Sequence, residues 1–150
     1  MFIHRPDGYN CPFCAIINQL QERCDIIYHD DLVTALVPLH HFAKIKGNVL
    51  VIPNTHYENI FDIDYHIGAE LLRVIQRIAY AMKSTYNCDG ISTRQHNEPA
   101  GYQDVWHYHV HVFPRYTGDN FYAGNKEQYD PEERFHHAQL LREHLQMDKK

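Results

Sequence analysis

Residues 104–115 read DVWHYHVHVFPR and place three histidines at alternate positions, with aromatic or aliphatic residues between them. An alternation with a period of two predicts a β-strand, in which His107, His109 and His111 share one face with Phe113. The apolar residues between the histidines then point to the other face and pack on the core. This stretch therefore predicts a strand that carries three imidazole rings side by side.

Three roles are open to these histidines. A single histidine on a strand is most often solvated or locally hydrogen-bonded, but three in register, with no Lys or Glu among them, favour a site. One metal ion cannot readily bind all three, since the outer pair lies about 13 Å apart along a strand and a zinc–nitrogen bond is about 2 Å long. A neutral imidazole is also a competent nucleophile toward phosphorus, and neighbouring rings can donate to phosphate oxygens. Phosphoryl or nucleotidyl chemistry therefore suits the arrangement better, although a metal could take one or two of the rings.

The remaining sequence predicts an α+β fold. Apolar residues from Ile67 to Met82 follow helical spacing, Asp64 is a candidate N-cap, and the turn sequence YNCDG at residues 86–90 ends this main helix. A C-terminal helix is predicted over residues 131–147, with Pro131 in its first turn. Further strands are predicted in DLVTALVP (31–38), GNVLVIP (47–53) and GISTRQHN (90–97). Because strands cluster with few helices between them, we expect an antiparallel sheet of about five strands, one main helix and a C-terminal helix.

The amino-acid composition limits the classes of protein to which the chain can belong. The chain has 150 residues, of which 44% are hydrophobic and 22% charged, as is typical of a globular protein, and we expect a single domain over residues 1–150. The net charge of −5, with neutral histidines, argues against broad binding to nucleic acid. No apolar run is long enough for a membrane span, and the N-terminus lacks the apolar core of a signal peptide. We therefore expect a cytoplasmic protein with no nucleic-acid and no membrane partner.

Four cysteines without a secretion signal do not indicate a disulfide framework. Cys11 and Cys14 form a CxxC, which has the spacing of half a zinc site, but a closed structural site needs four ligands. Two packed thiols or a redox pair are the alternatives, and CPFC lacks the surroundings of a thioredoxin-like site. Cys24 and Cys88 stand alone and are expected to be small buried hydrophobes.

Several segments together resemble the histidine triad family. HYHVHVF, residues 107–113, matches the signature His-x-His-x-His-x-x with apolar residues at x. DIIYHDDLVTALV followed by GNVLVIPNTHYENI is similar to the N-terminal half of that family, and HNEPAGYQDVWHYHVHVFPRY to its active-site segment. The resemblance covers roughly residues 10–120, in family order, and leaves the C-terminal helix as an extension.

The resemblance implies a nucleotide-binding hydrolase that acts at the α-phosphate of nucleoside phosphoramidates, adenylyl derivatives or dinucleoside polyphosphates. His109 would be the nucleophile that becomes nucleotidylated, and His111 would donate to the phosphate and assist the leaving group. The third triad residue is His rather than the Gln of the related uridylyltransferases, which favours hydrolysis over transfer. One alternative is a nucleotide-binding regulatory or scaffold protein without significant physiological turnover, and another is a zinc-catalysed hydrolase.

The resemblance also implies the substrate-binding residues. Asn97 and Gln103 match family positions that contact the phosphate or the leaving group, while Phe13, Ile16 and His40 fall where the family lines its nucleoside pocket. The sequence departs from the family at several of these positions. Asp104 stands where Ser or Thr is common, and His40 replaces an acidic residue that commonly holds the ribose hydroxyls. We include Asp104 among the substrate-binding candidates, because its carboxylate would lie near a phosphate.

Some histidine triad proteins complete a zinc site with two histidines in addition to the CxxC, and this sequence supplies both. The resemblance thus implies a structural Zn²⁺ held by Cys11, Cys14, His56 and His107, which leaves His109 and His111 for chemistry. No organic cofactor is expected. The resemblance further implies a homodimer whose small-molecule partner is a nucleotide substrate.

Overall fold

The structure is a computed structural model that describes residues 2–147. The helices are α1 (Pro12–Ile17), α2 (Tyr65–Tyr86) and α3 (Pro131–Met147). The strands are β1 (Ile26–His29), β2 (Val33–Leu36), β3 (His40–Phe42), β4 (Val49–Pro53), β5 (Gly90–Arg94), β6 (Val110–Arg115) and β7 (Lys126–Gln128). Short 3₁₀ turns lie at Leu20–Glu22, Pro99–Gly101 and Phe121–Ala123.

Five strands form one antiparallel sheet in the order β1-β2-β4-β6-β5, and β3 pairs with β7 in a separate two-stranded ribbon. This confirms the predicted α+β class and the sheet of about five strands. Helices α2 and α3 cover one face of the sheet, where their apolar residues pack on Val33, Ala35, Val49, Val51 and Val112. The other face carries α1, and Phe13 packs there on Leu36, Leu50 and Ile52.

Helices α2 and α3 begin and end close to the residues that the sequence predicts. The side chain of Asp64 accepts a hydrogen bond from the His66 amide at 2.8 Å, which satisfies one of the free N–H groups of the first turn of α2. Asn87 ends α2 in the left-handed conformation, and its N–H donates to the Lys83 carbonyl. Helix α3 spans the predicted residues 131–147. Within residues 2–147, no helix combines the length and the apolar character needed to cross a membrane.

The predicted strand over residues 104–115 is only half correct, because regular pairing starts at Val110. Val51 of β4 pairs with Val110 and Arg94 of β5 pairs with His111, and these are the last ladder pairs. β5 ends at Arg94, while β4 continues to Pro53 paired with β2 alone. The backbone before Val110 makes other bonds instead, such as the one from the Tyr108 amide to the Tyr57 carbonyl at 2.6 Å. For the same reason the predicted strand at 90–97 ends at Arg94.

The alternation of faces nevertheless continues through the irregular stretch. The rings of His107 and His109 both contact Phe13 on the α1 side, with centroid distances of 5.7 and 5.2 Å. Tyr108 packs on the opposite core beneath α2. His107 and His109 are 0% and 3% exposed, which excludes a solvated polar edge. The expectation of buried lone thiols holds for Cys88 and is wrong for Cys24, which is exposed.

Candidate functional site

Four side chains from three parts of the chain converge at the N-terminal end of α1. Cys11 caps that helix and Cys14 lies in its first turn, while His56 follows β4 and His107 precedes β6. Sγ of Cys11 lies 3.3 Å from Nδ1 of His107, and Sγ of Cys14 lies 3.3 Å from Nδ1 of His56. All four candidate ligand atoms lie within 4.8 Å of one another. A tetrahedral zinc with bonds of about 2.0 to 2.3 Å separates its ligand atoms by roughly 3.3 to 3.8 Å, so the cluster has suitable dimensions.

The hydrogen bonding of His107 also fits a metal ligand. Its Nε2 donates to the Pro53 carbonyl at 2.9 Å, and since a carbonyl can only accept, the lone pair lies on Nδ1, the nitrogen that faces the two thiols. Burial lowers the pKa of His107 to about 4, which keeps the ring in the neutral form that binds metals. Donation from the outer ring nitrogen to a carbonyl is the usual support of a zinc-binding histidine. The residues present therefore fit a zinc ion.

His109 lies next along the chain, with its ring beneath a large cavity. Its Nδ1 donates to the backbone carbonyl of His107 at 2.7 Å, so Nε2 carries the lone pair. Burial lowers the pKa of His109, which keeps the imidazole neutral at pH 7. Nε2 lies 3.7 Å from Oδ1 of Asp104, the nearest carboxylate at the cavity mouth. A buried neutral ring with a fixed tautomer and a free nitrogen has the properties of a nucleophile.

His111 lies beside His109 in β6. The two rings are 5.2 Å apart, and the His111 ring stacks on Phe113 with an interplanar angle of 8°. Burial lowers the pKa of His111 to about 2, and the neighbouring His109 and Arg94 act in the same direction. Its Nδ1 is buried without a hydrogen-bond partner among the described residues. A neutral His111 thus has one N–H, which can donate to a phosphate oxygen or a leaving group.

The cavity over these rings has a volume of about 1070 Å³, enough for a nucleotide. Six of the predicted site residues line it: Phe13, Ile16, His40, Asp104, His109 and His111. One side is apolar, because Leu36, Leu39 and Leu50 join Phe13 and Ile16 there. His96 also lines the cavity.

Asn97 and Gln103 do not line that cavity. Oδ1 of Asn97 accepts from the Ile60 amide at 2.8 Å, and its amide group donates to Gln95 at 2.7 Å. Gln103 is buried, donates to the Glu58 carbonyl at 2.6 Å and accepts from the Glu98 amide at 2.9 Å. Both amides therefore hold the loop before His107 in place.

Asp104 stands at the mouth of the cavity with 65% of its side chain exposed. It lies between His109 and Lys126, whose Nζ is 4.0 Å from Oδ2. Because this position carries Asp instead of the Ser or Thr that is common in the family, a carboxylate lies directly beside His109, the candidate nucleophile.

Sequence reasoning missed the basic residues of the cavity, Arg23, Arg94, Lys126 and Arg134. The sequence did contain an indication that Arg94 belongs to the site. Arg94 is the one charged residue in the predicted strand GISTRQHN, and it ends β5, which pairs with the triad strand β6. Lys126 and Arg134 lie beyond the triad motif, in β7 and α3, where nothing in the sequence indicates that they reach the cavity. Arg134 Nη2 lies 3.1 Å from the buried carboxylate of Asp25, which Arg23 also contacts.

Comparisons with known proteins agree with this geometry. The family model of the HIT domain matches residues 19–118. Protein hit of Bacillus subtilis is 34% identical over 132 residues, which are 83% of this chain and 86% of that protein. The adenylylsulfatase HINT3 of Arabidopsis thaliana is 27% identical over 117 residues, which are 76% of this chain and 56% of that protein.

Two solved structures are similar over nearly the whole chain. A Zn-bound histidine triad family protein from Mycobacterium smegmatis has a TM-score of 0.78 at 32% identity, and the match covers 93% of this chain and 96% of that one. A hypothetical histidine triad nucleotide-binding protein from Sulfolobus tokodaii has a TM-score of 0.77 at 25% identity, covering 93% and 94%. By its domain match, its relatives and its fold, the chain belongs to the histidine triad (HIT) family.

Proposed function

We propose that the protein is a nucleotide-binding hydrolase that acts at the α-phosphate of its substrate through a covalent nucleotidyl intermediate on His109. The observation that carries the proposal is the hydrogen bond from His109 Nδ1 to the His107 carbonyl, because it leaves Nε2 unprotonated toward the cavity. The nucleotide-binding histidine triad protein of similar fold and the relative named as an adenylylsulfatase support the substrate class.

The reaction proceeds in two displacements. Nε2 of His109 attacks the α-phosphorus, the P–N bond forms, and the bond from phosphorus to the leaving group breaks with its electron pair on the leaving group. His111 donates its N–H to the phosphoryl oxygens or to the departing atom as negative charge develops. Water then attacks the same phosphorus, the P–N bond breaks, and the nucleoside monophosphate leaves while His109 regains its lone pair and the proton of water passes to solvent.

The cavity supplies the binding surface for the nucleoside. Phe13 and Ile16 offer an apolar wall for the base on the α1 side, and His40 lies on the same cavity at the start of β3. Asn97 and Gln103 act on the phosphate indirectly, through the loop that carries Asp104. The function thus depends on a rigid loop as well as on the histidines.

We also propose that Cys11, Cys14, His56 and His107 hold a structural zinc ion. The ion would tie α1 to the loops after β4 and before β6, and its ligand set is complete without an open position for substrate. The Zn-bound histidine triad protein from M. smegmatis supports the assignment. The homodimer implied by the family resemblance is a further proposal, which sedimentation velocity can test.

Rapid quench of the enzyme with substrate, followed by mass spectrometry of the digested protein, tests the mechanism. We expect a nucleoside monophosphate adduct on the peptide that contains His109. A substrate panel of adenosine and guanosine phosphoramidates, adenylyl sulfate and diadenosine triphosphate then identifies the base and the leaving group. Tight nucleotide binding without turnover of any of them would favour the regulatory alternative.

A further inference from the structure

Arg94 occupies an unusual environment on the wall of the cavity. It ends β5 opposite His111 of β6. Its guanidinium carbon lies 4.7 Å from the ring centroid of Phe42, 5.3 Å from that of Phe113 and 5.8 Å from that of Phe121. Three aromatic rings therefore surround part of the guanidinium, where cation–π attraction replaces some of its hydration.

No acidic side chain among residues 2–147 forms an ion pair with Arg94, and its Nε is buried without an acceptor. The contrast with Arg115, which also lies over Phe121, is direct, because Arg115 donates to both carboxylate oxygens of Asp119 at 2.7 and 2.8 Å. A partly buried cation with no carboxylate in contact is costly, and an incoming oxyanion would supply the acceptor that Nε of Arg94 lacks.

Lys126 of β7 adds a second cation to the same wall. Its side chain is 48% exposed, and its Nζ approaches Oδ2 of Asp104 at 4.0 Å. Arg94 and Lys126 carry two positive charges against the one negative charge of Asp104, so this part of the cavity has an excess of one positive charge. That excess favours a bound anion.

The order of the rings places Arg94 on the side of the triad opposite Phe13. Phe13 lies 5.2 Å from His109, His109 lies 5.2 Å from His111, and His111 lies 5.7 Å from Phe113, on which Arg94 packs. A nucleoside on the Phe13 side would therefore direct the other part of its substrate toward Arg94, with Lys126 beside Asp104 next to His109.

We propose that Arg94 and Lys126 form a subsite for an anionic leaving group, a phosphate or a sulfate attached directly to the α-phosphate. This inference rests on the proposed function and deepens it, because it selects substrates with a nucleotide or sulfate leaving group over phosphoramidates with a neutral amine. Arg94 binds the oxyanion through its paired N–H donors, and Lys126 neutralises the charge that appears on the leaving oxygen as the bond breaks.

The test compares Arg94→Gln and Lys126→Gln with the parental protein on three substrates: diadenosine triphosphate, adenylyl sulfate and an adenosine phosphoramidate with an uncharged amine. We expect each substitution to lower kcat/KM for the two anionic substrates roughly 10- to 100-fold and to change that for the phosphoramidate less than about 3-fold. A larger loss on diadenosine triphosphate than on adenylyl sulfate would identify phosphate as the preferred anion, and the reverse would identify sulfate.

Lys44→Gln is the matched control, since Lys44 is exposed, lies near β3 and does not line the cavity. Arg94→Lys, which keeps the charge but not the paired donors, should recover part of the activity on the anionic substrates. Equal losses of kcat/KM on all three substrates would contradict the proposed leaving-group subsite but not the proposed hydrolase activity. If the parental protein turns over none of them and forms no adduct on His109, the proposed function itself fails.

Discussion

The backbone carbonyl of His107 accepts a hydrogen bond from Nδ1 of His109 over 2.7 Å, while Nδ1 of His107 lies 3.3 Å from the thiol of Cys11. One residue thus contacts the cysteine cluster through its side chain and orients the candidate nucleophile through its backbone. The two functions proposed for the triad are physically linked at this position, and substitutions at His109 and Cys11 separate them.

Replacing His109 by Ala should lower kcat by a factor on the order of 1000 or more, because the nucleophilic nitrogen is lost. The fold and the zinc content should be unchanged, since His109 is not among the four clustered ligands. Steady-state kinetics, circular dichroism and metal analysis of the same preparation measure the three quantities. His109→Asn provides the control for packing, because its amide keeps a donor near the His107 carbonyl. Near-parental turnover in either variant would exclude the covalent mechanism.

Cys11→Ala should remove most of the zinc from protein purified without added metal. The loss of a structural ion should also lower the free energy of unfolding, by on the order of 3 kcal/mol. Cys24→Ala is the matched control, since that cysteine is exposed and outside the cluster. Zinc content and urea denaturation are the measurements, and equal zinc in both variants would contradict the assignment.

Mild chelation distinguishes a structural from a catalytic zinc. If the ion is structural, activity should fall only in parallel with the loss of folded protein, because the metal has no open position for substrate. Activity and near-ultraviolet circular dichroism, followed together during incubation with a chelator, should therefore decay with one time course. Fast loss of activity from a fully folded protein would support the zinc-catalysed alternative.

Acidification from pH 7.5 to 5.5 should destabilise the protein. Burial lowers the pKa values of His41, His111 and His137 in the folded state, so the unfolded chain binds more protons once the pH falls below about 6.5. The stabilisation is therefore present above that pH and decreases as the pH falls toward the folded pKa values. Urea denaturation at the two pH values measures it. His41→Gln should show a shallower pH dependence, and a rise in stability at pH 5.5 would contradict the prediction.

Glu58 is 0% exposed, accepts from the His4 amide and forms an ion pair with Arg5 at 3.1 Å. Glu58→Ala should lower the free energy of unfolding by about 1 to 2 kcal/mol, because it removes a fully buried acceptor that ties the N-terminal segment to the loop after β4. Glu70→Ala, which removes the exposed ion pair with Arg73, should cost less than about 0.5 kcal/mol. Similar effects of the two substitutions would show that burial does not determine the contribution of Glu58.

The parts of the fold that the sequence predicts well are those set by local chemistry. Helix α2 follows from its periodic apolar face and from the caps Asp64 and Asn87, all of which lie within the helix or next to it. The strand at residues 104–115 was predicted too long, because strand ends depend on partner strands. Here the pairing with β4 stops at Val51, although β4 itself runs to Pro53, and β5 ends at Arg94, and no local signal in the sequence indicates either.

The candidate site also contains some residues that the local sequence predicts and others that it does not. The triad spacing and the CxxC are visible in the sequence, and the family resemblance supplies His56 as their partner. Lys126 and Arg134 reach the cavity only because β7 pairs with β3 and α3 packs on the sheet, so their place depends on long-range contacts. Asn97 and Gln103 occupy family positions, yet their hydrogen bonds within the loop could be seen only in three dimensions.

The HIT domain match ends at residue 118 and begins at residue 19, yet Phe13 forms one wall of the cavity and Lys126 and Arg134 form part of another. The matched segment therefore contains the reacting histidines without the complete surface that selects what reaches them. Two proteins could align over the entire domain and still accept different molecules, because part of the cavity wall comes from segments outside the match. For this chain, transferring an activity from a relative requires that residues 11–18 and 119–134 be compared as closely as the triad itself.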